Sequence, residues 1–257
     1  MTPEENENGI ESNSSRVREA SSKVWVSIFK RRWLLILGFI LLGWIVVELI
    51  SLPFASISRL EKSNPGETAF MRERAAVARD SGRKFSVDQR WVGLHEIPDD
   101  VVNAVIVAED GRFWSHGGFD WFEVRESIER NFTEGRAARG ASTITQQLVK
   151  NLYLSSSKNP LRKLREWVLT WWMEQNLKKR RILELYLNVI EWGKGIYGIE
   201  AASQKYFGKP ARELTREEGA RLAAVIPNPR GHAPNDGSEY VERRAAIVLN
   251  RMAAQGM

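Results

Sequence analysis

A mainly α-helical domain behind a single N-terminal membrane-crossing helix is the architecture this sequence predicts, on three observations. Residues 33–54, WLLILGFILLGWIVVELISLPF, are 22 consecutive residues with one charge, Glu48. From Pro98 onward, apolar residues recur at the three-to-four spacing of helices. Strand signals are few, KFSV at 84–87 being the best of them and a candidate hairpin arm.

The apolar stretch is long enough to cross a hydrocarbon core of about 30 Å as a helix. It is apolar all round, whereas a buried core helix is usually shorter and one-sided. It also exceeds a signal-peptide core, and no A-x-A-like cleavage site follows it. Lys30, Arg31 and Arg32 stand directly before it, balanced only weakly by Arg59 and Lys62 after it. The positive-inside rule then leaves the N-terminus in the cytoplasm and everything after Phe54 outside. Three regions follow: a disordered cytoplasmic segment with a basic flank (1–32), the span (33–54) and an extracytoplasmic domain (55–257).

Charge adds to this division. The chain carries a formal net charge of +6 and no cysteine. Residues 1–54 sum to zero, so the whole excess belongs to residues 55–257. A basic domain calls for an anionic partner. Outside the cytoplasm that means lipid head groups and lipid-linked phosphates before nucleic acid. The missing cysteines exclude a disulfide scaffold, a thiolate metal site and a cysteine nucleophile.

Helices are expected in order along the domain. Pro98-Asp99-Asp100 opens the run VVNAVIVAED with acids in the first turn, as the helix dipole favours. Residues 121–132 form a short amphipathic segment, followed by the polar loop TEGRAARGA. Thr143-Ile-Thr-Gln146 reads as a capping box opening a helix to about Leu154. Pro160 starts a long pattern through Trp171, resumed from Arg180 to about Trp192. Further helices are expected at 197–206, 215–225 and 239–254. Gly193-Lys-Gly195-Ile-Tyr-Gly198 matches the dinucleotide fingerprint G-x-G-x-x-G, but it follows a helical pattern instead of a strand, so it is read as a helix-breaking turn.

Candidate chemistry gathers in three places. Glu109 and Asp110 close an apolar helix; alone, Glu109 is most simply a solvated helix end, but half-burial in a cleft would raise its pKa and make it an acid or base. The following FWSHGGFD, with Phe113 and His116, is a tight turn crowded with functional side chains. Three scattered histidines give no ligand spacing, so His116 reads as a structural hydrogen-bond partner and no metal site is assigned. In GASTITQQLVKN, the residues Ser142, Thr143, Thr145, Gln146, Gln147, Lys150 and Asn151 surround one helix start, with Gln146 and Lys150 sharing a face. A helix N-terminus with a lysine one turn along suits a phosphate. Arg162, Lys163 and Glu166 then place two cations one turn from a carboxylate, a candidate pyrophosphate clamp beside a second acid. Residues 150–181 hold nine bases and two acids, with Trp167, Trp171 and Trp172 interleaved, which suits a membrane interface as well as it suits RNA.

In this order the stretches AEDGRFWSHGGFD, GASTITQQLVKN, RKLRE, RRILELYLN, YGIEAASQKYFGK and LTREEGARLAAVIPNPR resemble the peptidoglycan glycosyltransferases of family 51, over about residues 85–230. The resemblance is to the monofunctional kind and to the N-terminal domain of class A penicillin-binding proteins. It implies a lysozyme-like, two-lobed α-helical fold with a cleft facing the membrane, in the bacterial inner membrane with the catalytic part periplasmic. It implies lipid II, a disaccharide-pentapeptide on an undecaprenyl pyrophosphate, and the growing glycan chain as substrates, and cell-wall synthesis proteins as partners. Glu109 and Glu166 match the catalytic carboxylates. Asp110, Phe113, His116, Ser142, Thr143, Gln146, Gln147, Lys150, Asn151, Arg162 and Lys163 match substrate-contacting or neighbouring positions. Lys158 stands where many members have arginine, which keeps the charge and loses the bidentate fork. No cofactor is required by this reading, though some relatives respond to a divalent cation such as Mg or Mn. Two alternatives stay open at this stage: a lysozyme-like glycan hydrolase using the same carboxylates, and a non-enzymatic cell-wall scaffold.

Overall fold

The computed structural model describes residues 33, 35–40, 42–134, 142–157 and 159–257. The chain divides into two units, Met1–Leu52 and Pro53–Met257. In the first, α1 is helical at the described residues between 33 and 50, with nearly every described side chain exposed. It belongs to the one helix among the described residues long and apolar enough to cross a membrane.

The second unit is built from helices α2 (Phe54–Arg59), α3 (Ala69–Asp80), α4 (Asp99–Glu109), α5 (Trp121–Glu134), α6 (Ile144–Tyr153), α7 (Pro160–Asn176), α8 (Lys179–Val189), α9 (Ile199–Phe207), α10 (Arg216–Val225) and α11 (Glu239–Ala254). The expected helix starts are where the caps are. Thr143 and Thr215 each form a capping box, with Gln146 and Glu218 reaching back to the cap backbone. Asn159 caps α7 ahead of Pro160 at the first helical position, where its missing N–H costs nothing. The helices α2 and α3, which the apolar pattern did not announce, are short or strongly charged; in α3 only Met71 is buried.

Two layers of this unit matter for function. In one, α4 packs on α10 and α11. Gly219 permits the close α4–α10 approach, since a Cβ there would lie 2.9 Å from Val101 Cα. In the other, α6 packs against α3, α7 and α8. Its buried face of Ile144, Leu148, Val149 and Leu152 brings the polar face of the same helix up to the end of α4.

Two sequence expectations are corrected. The strand lies at Asp88–Gln89 (β1), past KFSV, and pairs in parallel with β3 (Ile196–Tyr197) instead of forming a hairpin arm. The side chains of 84–87 are largely exposed and have no partner edge, whereas the Asp88 N–H meets the Gly195 carbonyl at 2.9 Å. The second correction concerns α8, which ends at Val189 instead of continuing to Trp192. The backbone turns extended at Ile190, and in the last helical turn the Asn188 side chain exchanges hydrogen bonds with both backbone groups of Val92 while its carbonyl accepts from Gln89, which ties this helix end to the segment before α4. The chain then forms β2 (Glu191–Gly193), antiparallel to β3. The G-x-G-x-x-G stretch is therefore the turn and second strand of a small hairpin, without the parallel β-α-β unit a dinucleotide site needs.

Candidate active site

The site is assembled where α4 ends and α6 begins. Asp110, first residue past α4, accepts the backbone N–H of Ile144 at 3.0 Å through Oδ2 and meets His116 Nε2 at 2.8 Å through Oδ1. The other ring nitrogen of His116 accepts the Gly118 N–H, so the proton sits on Nε2 and points at Asp110. Thr143 closes the loop by donating its hydroxyl proton to the Gly118 carbonyl at 2.7 Å. Gly118 is confined to φ +90°, and a Cβ would meet Thr170 and Glu174 at 2.9 Å, so only glycine fits this turn.

That clasp sets Glu109 against α6. Gln147 Nε2 donates to Glu109 Oε2 at 2.8 Å, and the buried Tyr186 hydroxyl donates to Gln147 Oε1 at 2.9 Å. The tyrosine thereby fixes which way the amide points. Glu109 is half-buried. Burial raises its pKa above the usual carboxylate value, against the Gln147 hydrogen bond and the charges of Arg244 and Lys150, which lower it. Burial likewise lowers the pKa of Lys150, partly offset by Glu166. The phenol of Tyr186 is held well above its ordinary range by burial and by the two neighbouring carboxylates, so it acts as a donor only.

On α7, Glu166 is 3% exposed and is gripped by Arg162 at 2.5 Å and by Lys163. A buried carboxylate held by two cations differs from a surface pair worth about 0.3–0.5 kcal/mol, because removing a partner strands a charge at a cost of about 3–5 kcal/mol. Lys150 lies close enough to Glu109, Glu166, Arg162 and Lys163 to feel the charge of each. The structure thus gathers two carboxylates and three cations from α4, α6 and α7. Such a group can take a proton on one side and neutralise a departing anion on the other.

Other predicted residues have structural tasks. Gln146 serves the capping box, so Gln147 is the glutamine that reaches Glu109. Asn151 is buried and donates to the Gln147 carbonyl. Phe113 is fully buried, with the Lys179 ammonium 4.3 Å from its ring centroid. Ser142 is exposed at the start of α6. Lys158 lies outside the described residues. Nothing local in the sequence marks Tyr186 or Arg244 as neighbours of Glu109. Tyr186 looked like one apolar position of an amphipathic helix, and Arg244 sits on the last helix, with no spacing that ties it to Glu109.

Asp110, His116 and Asp120 place one donor atom each within 4.8 Å of one another. Both nitrogens of His116 are engaged, one with Asp110 and the other with the Gly118 N–H. Asp120 caps α5 through the Glu123 N–H, while its Oδ2 is buried without a hydrogen-bond partner.

Known proteins resemble this chain over most of its length. A family model described as Transglycosylase matches residues 77–253. A protein named biosynthetic peptidoglycan transglycosylase from Nitrosospira multiformis is 41% identical over 201 residues, 78% of this chain and 87% of that one. Proteins of the same name from Janthinobacterium sp. (strain Marseille) and Dechloromonas aromatica are 39% identical over 219 residues and 44% over 191, covering 82% and 74% of this chain and 95% and 83% of theirs. On the matched residues and on these relatives, the chain belongs to the transglycosylase family.

Proposed function

We propose that this protein is a peptidoglycan glycosyltransferase that polymerises lipid II into glycan strands for the cell wall, with Glu109 as its base. The observation that carries the reading is the setting of Glu109: burial raises its pKa, Gln147 orients it, and Lys150 feels its charge on one side and the charges of Glu166, Arg162 and Lys163 on the other. Glu109 accepts the proton of the acceptor sugar's 4-hydroxyl. That oxygen attacks the anomeric carbon of the growing chain, a new C–O bond forms with inversion, and the bond to the lipid pyrophosphate breaks. The pyrophosphate leaves with the bonding electrons. Its charge, more than any proton, is what needs stabilising, and Arg162, Lys163 and Lys150 supply that. Glu166 holds the two α7 cations in place. No resident metal is needed for these steps, and Mg or Mn would act only as an auxiliary; chelation by EDTA should therefore leave residual turnover.

The apolar helix supports a single-pass anchor in the inner membrane with the domain periplasmic. The deciding experiment is polymerisation of labelled lipid II by wild type, Glu109→Gln and Glu166→Gln. Polymer from wild type and none from Glu109→Gln supports the transferase. Cleavage of finished glycan without polymerisation would mark a hydrolase, and full cellular function of Glu109→Gln would mark a scaffold.

A further inference from the structure

A second concentration of charge lies away from these groups. Helix α3, the segment 83–86, the β2–β3 hairpin and Arg230 enclose a cleft of about 210 Å³. Its wall carries Arg74, Arg83, Lys84, Lys194 and Arg230 against one acid, Glu191. Arg74 and Arg230 flank that acid at 3.1 and 3.8 Å. Arg83, Lys84 and Lys194 are exposed, and among the described residues none of their side chains makes an ion pair or hydrogen bond. The fold forces these cations together: Gly195, at φ +76°, lets the hairpin turn touch segment 83–86, where a Cβ would come within 2.4 Å of the Ser86 carbonyl. Crowding like charges without an anion is unfavourable, so the arrangement suits a bound anion.

Glu191 narrows the chemistry. It is 6% exposed, lines the cleft, and its Oε1 has no hydrogen-bond partner among the described residues. A buried acceptor of this kind calls for an N–H or O–H donor. A phosphate dianion offers only acceptors and would face Glu191 unfavourably. A carboxylate next to an amide or ammonium donor satisfies both halves of the cleft. The volume, below the roughly 300–1,000 Å³ of sites that enclose a whole small ligand, suits one charged end of a larger one.

We propose that this cleft holds the acidic end of the peptide carried by the glycan substrate. The inference rests on the lipid II reading, in which the pyrophosphate already has its cations on α6 and α7, leaving the peptide carboxylates as the other anionic groups. Reach permits it. Glu191 follows Tyr186, the residue that orients Gln147, by five positions, so their Cα atoms lie within about 18 Å, close to the length of five extended residues.

The test uses the full-length protein and the variant Arg83→Ala/Lys84→Ala/Lys194→Ala, whose changes are confined to exposed side chains. Polymerisation is measured with lipid II bearing free peptide carboxylates and with the same lipid II amidated. For wild type the amidated substrate should show a KM about tenfold higher at similar kcat. The variant should raise KM for the free acid to that level and leave the amidated substrate unaffected. Equal KM for both substrates in wild type, or an equal rise for both in the variant, overturns the inference. A wild type that polymerises neither substrate refutes the lipid II reading instead, and binding then decides the cleft. Calorimetry with soluble muramyl pentapeptide should give heat with wild type and with Glu109→Gln, and none with the triple variant. Equal binding by all three, or displacement of the peptide by millimolar inorganic phosphate, counts against a peptide subsite.

Discussion

At Glu109 two opposing influences meet: burial disfavours the carboxylate, while the Gln147 amide and the charges of Arg244 and Lys150 favour it. Burial is the larger, so the pKa is raised. The proposed base must be ionised to work, so the acid limb of the kcat/KM profile should fall above the ordinary carboxylate range. Arg244→Met removes a charge that lowers the pKa, and the limb should move further toward neutral pH while Gln147→Glu, a like charge beside it, moves it further still. A limb unmoved by Arg244→Met would separate that arginine from the base. Glu109→Gln should cost about 10²–10⁴-fold in turnover, the usual worth of a positioned acid or base. The same raised pKa carries a stability consequence. Ionised Glu109 weakens the fold as pH rises through its folded pKa, and that penalty is absent below the unfolded value. Glu109→Gln should therefore melt higher than wild type at neutral pH, with the gain vanishing in acid, as thermal unfolding across pH would read.

The join between α4 and α6 decides whether those residues meet. Its bonds run from Asp110 to the first amide of α6 and to His116, and from Thr143 to Gly118. Asp110→Ala leaves a buried amide and an imidazole N–H without an acceptor, a loss of about 3–6 kcal/mol over two bonds to a carboxylate. Denaturant unfolding should show a lower midpoint, and turnover should fall with the geometry of Glu109 and Gln147. Gly118→Ala acts on the same join from the backbone, through positive φ and the contact with Thr170 and Glu174. A destabilisation of about 1–3 kcal/mol is expected, since strain and overpacking combine there. Equal stability of that variant would show that the loop can relax around a Cβ.

For the molecule as a whole, the division at Leu52–Pro53 separates an apolar helix from a unit with its own core. Protein beginning at Pro53 should keep its helical circular dichroism and a cooperative unfolding transition. On lipid II in vesicles its rate should drop about tenfold or more, because the proposed anchor would supply the local concentration at the membrane. Detergent-dispersed substrate should restore much of it. Loss of the transition in the truncated protein would show that the two units fold together.

Most of the helices were legible in the sequence because their signals are local. Capping boxes at Thr143 and Thr215, Pro160 behind Asn159, and an unbroken apolar stretch depend on residues within one turn of each other. The pairing of Arg162 and Lys163 with Glu166 was legible for the same reason, since one helical turn fixes it. The end of α8 was not, because Asn188 answers to the backbone of Val92, and the strand at 88–89 exists only by pairing with Ile196–Tyr197. Glu109 was visible as a carboxylate in a suggestive motif, and family resemblance gave it a role. Its raised pKa, the choice of Gln147 over Gln146, the bracing by Tyr186 and the influence of Arg244 came only with the tertiary structure. Sequence alone determined which chemical groups this protein has and which helices carry them. The fold decided which of those groups lose their water together, and desolvation at that meeting point is what raises the pKa of a helix-end carboxylate, the property the proposed base needs.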